Sequence, residues 1–145
     1  MAWILYDNMI LLQHNSAGID FDTDTINCMI TTSTYNPAKA THDYRADVTN
    51  EVSGSGYSAG GKALASKTVA LSTGVVTFDA ADVTWSQDGS GFADGKYAVL
   101  YQSTSSASGT ADILIAYADI GNSKGNVAGD LTLEMSVAGI FTATN

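Results

Sequence analysis

Three stretches of this chain bring together side chains of the kinds that do chemistry. In IDFDTDT, Asp20, Asp22 and Asp24 stand at alternate positions. That spacing opens a calcium-binding loop, because a hard cation wants several oxygens converging from one turn. The rest of the loop is missing: Thr25 stands where the turn requires Gly, and Thr31 where it requires a bidentate Glu. The carboxylates therefore read as a solvated strand edge, and no metal is expected.

In ATHDYRADVTNE, His42, Asp43 and Arg45 crowd together. A catalytic triad needs a nucleophile and an orienting group placed around the imidazole, and adjacent residues on one strand or turn rarely face one another. His14 is the only other histidine, which leaves too few imidazoles and thiolates for a catalytic zinc. A turn or capping network of Thr41, Asp43 and Arg45 is the simpler reading, and no catalytic residue is assigned. In GSGYSAGGKAL, Gly54, Gly56, Gly60 and Gly61 resemble a phosphate-cradling loop. Their spacing fits neither the P-loop nor the dinucleotide fingerprint, and Lys62 is followed by Ala rather than Ser or Thr. These glycines are expected to give conformational freedom around Tyr57, and no cofactor is expected.

The elements that would position these residues are legible from periodicity. The opening residues 1–15 carry Leu5, Met9 and Leu12 at helical spacing, with Ile4 and Leu11 widening the same face, and the helix should end by Ser16-Ala17-Gly18. Thr25 to Thr34 alternates Ile26, Cys28 and Ile30 against Asn27, Met29 and Thr31 and reads as a half-buried strand, closed by Pro37. Ala63 to Leu71 and Val75 to Trp85 read as two strands joined at Ser72-Thr73-Gly74, with Gly74 supplying positive φ. Gln87 to Gly95 is turn chemistry. Tyr97 to Gln102 and Asp112 to Ile120 read as strands around a flexible linker at 103–109, and Asp130 to Phe141 as the last strand. Short strands with Gly, Ser and Asn turns predict a mainly β domain spanning 1–145. Its form would be an antiparallel β-sandwich or barrel with a short N-terminal helix and a long irregular loop at 35–62.

A loop of that length is uncommon in a compact domain and usually makes contacts. Tyr35, Tyr44 and Tyr57 punctuate it, and tyrosine suits interfaces because it joins large area to a hydrogen-bonding tip. Tyr35, His42, Tyr44, Arg45 and Tyr57 are accordingly the candidate interface residues. The same tyrosines could instead pin the loop to its own domain, and periodicity does not separate the two.

Composition narrows the partners. Fifteen acidic side chains against 6 basic ones give a formal charge of -9, which argues against nucleic acid held through phosphate contacts. No apolar run reaches the roughly 20 residues that span a bilayer, and the N-terminus lacks a secretory leader, so a soluble, cytoplasmically made chain with no membrane partner is expected. Charged residues are only 14%, against roughly 25% in typical soluble proteins, which leaves a polar surface that a partner can cover at low desolvation cost. Cys28, the single cysteine, cannot form an internal disulfide and sits in a strand pattern as a core residue.

The string DTDTINCMITTSTYNPAKATHDYRADVTNEVSGSGYSAGGKAL, with the later FDAADVTW, YAVLYQS and GIFTAT, resembles a group of small tailed-bacteriophage virion proteins that carry similar blocks in the same order. The similarity runs from about Leu5 to the end, and DVTNEVSGSGYSAGG is its most specific block. The resemblance implies a structural protein of the virion and brings no catalytic residues. Joined to the acidic, disulfide-free β domain, it leads to an expected non-enzymatic capsid decoration or cement protein. Such a protein would be made in the host cytoplasm and would contact the major capsid protein and sister subunits as a homo-oligomer. A tail or neck component is the alternative within that class. A carbohydrate-binding module using Trp85 or Tyr101 as stacking platforms is an alternative outside it, and a hydrolase is a third.

Overall fold

Short runs of β-prone residues bounded by Gly, Ser and Asn turns favour strands over helices, and the computed structural model describes residues 1–14, 18–104, 109, 111–136 and 138–144. Ten strands occur among them: β1 (Ile4–Leu5), β2 (Ile26–Thr32), β3 (Lys62–Ala63), β4 (Thr68–Ser72), β5 (Val75–Asp79), β6 (Val83–Trp85), β7 (Gly95–Gln102), β8 (Leu114–Lys124), β9 (Leu131–Leu133) and β10 (Phe141–Thr144). One helix, α1 (Asp7–Gln13), follows β1, and a single 3-10 turn covers Arg45–Asp47. All strand pairings are antiparallel. The molecule is mainly β, with a five-stranded sheet ordered β1-β8-β7-β2-β3, a three-stranded sheet β10-β5-β4 and a two-stranded sheet β6-β9.

The main core lies on one face of the five-stranded sheet. Ile26, Cys28 and Ile30 of β2, Ala98 and Leu100 of β7 and Ile115 of β8 meet Phe78 of β5, Val83 and Trp85 of β6 and Leu131 and Leu133 of β9. At roughly 25 cal/mol per Å² of apolar surface removed from water, this sandwich-like interior is the dominant source of stability. Cys28 lies fully inside it, and burial pushes its thiol up to about 12.

Several sequence expectations change once the sheets are assembled. The N-terminal helix is shorter than residues 1–15, because Ile4 and Leu5 pair with Tyr117 and Ala116 as an edge strand. Of its expected apolar face only Met9 is fully buried, while Leu11 is 60% exposed. The break assigned to Ser16-Ala17-Gly18 falls largely outside the described residues, as do positions 105–108 of the expected linker. Val75 to Trp85 is two strands in different sheets, and Asp130 to Phe141 likewise separates into β9 and β10. Ala63 to Leu71 divides at Ser66, whose φ of 50° takes the backbone out of the extended region. The turn between β4 and β5 holds Thr73 at φ 49° and Gly74 at φ 81°, the paired positive values of a two-residue hairpin turn whose twist matches its strands.

β2 is not half-buried. Met29 and Thr31, on the face opposite the main core, are also buried, because a second apolar cluster of Tyr6, Tyr35, Val99, Tyr101 and Leu114 covers that side.

Candidate functional site

The long segment after β2 is fastened to its own domain, residue by residue. At its start, Tyr35 is 2% exposed. Its hydroxyl lies 3.0 Å from the Tyr6 hydroxyl and 3.0 Å from His42 Nδ1, and its ring stacks against the His42 imidazole at 5.6 Å between centroids. Burial raises the ionisation of both tyrosines above the ordinary range, so each serves as a neutral hydrogen-bonding group.

In the middle, Tyr44 is half-buried against the main core, and its backbone forms a bridge to Ile113. Asp47 turns back to accept the amides of Asp43 at 2.8 Å and Tyr44 at 3.0 Å, closing the 3-10 turn from its own side chain. The expected local network of Thr41, Asp43 and Arg45 thus gives way to one built by Asp47. Arg45 reaches away, donating from Nε to Asp112 Oδ2 at 2.8 Å with its guanidinium 5.5 Å from the Tyr101 ring centroid. Burial pushes the Asp112 carboxyl up, but the Thr104 hydroxyl and amide and the Arg45 guanidinium outweigh it and hold the group below the usual carboxylate range.

At the far end, Tyr57 stacks on Trp85 and meets Phe92 edge-on inside the main core. Its hydroxyl accepts the Ile30 amide at 2.9 Å and donates to Glu51 Oε1 at 2.7 Å, and the same Glu51 oxygen accepts the Gly60 amide at 2.6 Å. Gly61 has φ 77°, and a Cβ there would collide with the Cys28 carbonyl, so close approach to β2 is what requires glycine. The glycines expected to loosen the chain around Tyr57 instead let it lie tightly against the sheet.

The five candidate interface residues therefore do not converge. Tyr35 belongs to the second cluster with His42 stacked on it, Arg45 is bound to Asp112, and Tyr57 packs against the main core on the other face of the sheet. Neither proposed sugar platform is accessible: Trp85 is 0% and Tyr101 2% exposed, which removes the stacking faces a carbohydrate would need. Asp20 and Asp24 are occupied in a turn, with Asp20 Oδ1 accepting the Asp22 and Thr23 amides and Asp24 Oδ2 accepting the Asp20 amide and the Gln102 side chain. No cluster of three or more metal-ligating side chains occurs among the described residues, and no helix among them is long and apolar enough to cross a membrane.

The surface that stands open lies elsewhere. Every residue of β4 is exposed, including Val69 at 46% and Leu71 at 73%, and Val76 opposite Leu71 is 37% exposed. Directly opposed residues share a face, so Val69, Leu71 and Val76 extend the inward face of the β10-β5-β4 sheet beyond Phe78 and Phe141. Next to this strip, a groove of about 470 Å³ runs between α1 and the ends of β5 and β10, lined by Met9, Ile10, Phe21, Val76 and Phe141. Sequence reading found the β4 strand but not its exposure. The available signal was TVALS itself, a β-prone run with no charge and no proline. No family model matches the chain, and neither does any curated protein or solved structure.

Proposed function

We propose that this chain is a non-enzymatic structural protein of a bacteriophage virion, a decoration or cement protein that lies on the major capsid lattice and against sister copies. The observation that carries the reading beyond the sequence resemblance is the open apolar strip of Val69, Leu71 and Val76 with the α1 groove beside it, on a domain whose long loop is already fixed. Isolated exposed apolar residues are ordinary, whereas a contiguous patch next to a groove is a contact surface. Because the loop is held by Tyr35, Arg45 and Tyr57 before any partner arrives, little ordering entropy opposes docking. Repetition over a shell then makes modest contacts sufficient, since each subunit engages several neighbours at high effective concentration.

Quantitative mass spectrometry of purified virions tests this. A copy number close to that of the major capsid protein is expected. A few to a few tens of copies per particle would move the chain to the tail or neck, and absence from the particle would overturn a virion role.

A further inference from the structure

We propose that β4 is a self-association edge. Two copies of this chain join their Thr68–Ser72 strands antiparallel across a two-fold axis at Ala70, and two three-stranded sheets become one six-stranded sheet. The inference goes beyond the virion assignment, since it concerns how copies meet wherever the chain works.

The backbone sets the register. In the two-residue hairpin, Ser72 and Val75 form the last hydrogen-bonded pair, so Thr68, Ala70 and Ser72 direct their amides and carbonyls at β5. Val69 and Leu71 direct theirs outward, where they have no backbone partner among the described residues. With Ala70 on the axis, Val69 of one copy faces Leu71 of the other, and each such pair exchanges both N–H···O=C bonds. Ala70 then faces its own counterpart in the close, non-hydrogen-bonded position, at a Cα separation of about 4.5 Å, where a small side chain fits. An axis normal to the sheet keeps both inward faces on the same side. Val69, Leu71 and Val76 of the two copies thereby merge into one apolar surface.

A second copy is the occupant because the strand is its own complement under that axis and carries no charge for a different partner to read. Natural edge strands are guarded by charge, proline or a bulge, and Thr68–Ser72 has none of these; Lys67 lies just outside and would face the Thr73 end of the other copy. The formal charge of -9 would draw a basic partner to the acidic remainder of the surface rather than to this neutral strip. The two-fold contact is closed, so association stops at the dimer through this edge.

The test is disulfide trapping in the full chain, where buried Cys28 gives no background. Ala70→Cys should form a covalent dimer under mild oxidation, faster at higher salt as repulsion between the acidic copies is screened. Ser72→Cys, far from the axis, should not. Adding Leu71→Lys to Ala70→Cys should slow trapping about tenfold by placing charge against the facing strand. Equal trapping at Ala70 and Ser72, insensitivity to Leu71→Lys, or higher oligomers growing in place of the dimer would each overturn the proposal. Sedimentation of the unmodified chain gives a separate reading: a concentration-dependent dimer is expected, and a monomer persisting to about 1 mM in high salt, the weak limit of specific association, would also overturn it.

Discussion

The Tyr57 hydroxyl accepts the main-chain amide of Ile30 at 2.9 Å, doing for β2 what a neighbouring strand would do. β3 pairs β2 only at Asn27 and Cys28. Beyond that point the edge of β2 is completed by pieces of the long loop: Val52 donates its amide to the Ile30 carbonyl, Glu51 bridges to Thr31, and the Asn50 carbonyl accepts the Thr32 amide. A segment without regular structure thus serves as the outer strand of a sheet. Its length follows from that task, since it must also cross over to bury Tyr35 on the opposite face.

Replacing Tyr57 by Phe keeps the ring contacts with Trp85 and Phe92 but leaves the Ile30 amide and the Glu51 carboxylate short of a partner. Leaving buried polar groups unsatisfied costs about 1–3 kcal/mol, so Tyr57→Phe should lower the urea midpoint accordingly with an unchanged slope. A midpoint equal to that of the unmodified chain would show that the hydroxyl does not hold the loop.

Asp112 gives the fold a defined acid sensitivity. Its carboxyl is held below the ordinary value, so the native state favours the ionised form. That contribution is complete above the unfolded carboxyl value of about 3.9 and is lost as pH falls through the lower folded value. Asp112→Asn should therefore cost about 1–3 kcal/mol at pH 7, with the gap to the unmodified chain narrowing below about pH 4. Chemical unfolding at pH 7 and pH 3 measures both gaps, and a difference independent of pH would contradict the assignment.

Thr73 is a β-branched residue at φ 49° in the first position of the β4–β5 turn, where asparagine is the favoured partner of the following glycine. Thr73→Asn should stabilise the domain by about 0.5–1 kcal/mol by relieving the left-handed strain. A rise in melting temperature is expected, and a fall would show that the Thr73 side chain makes a contact that outweighs its backbone cost.

Residue order alone carries the features that depend on neighbours along the chain. Two-residue alternation marks Ile26, Cys28 and Ile30 as one face of a strand, because side chains two apart on an extended backbone must share a face, and Gly74 marks the hairpin expected at Ser72-Thr73-Gly74, which the structure narrows to Thr73-Gly74. Whatever depends on residues distant along the chain is set by packing. Tyr57 meets Ile30 across 27 positions and Arg45 meets Asp112 across 67, and nothing local signals either contact. The break of Val75 to Trp85 into strands of different sheets, the double burial of β2 and the inward turn of the loop tyrosines all follow from such long-range partners. The exposed edge of β4 follows from their absence among the described residues, for a strand becomes an edge only when the rest of the fold has placed no neighbour beside it.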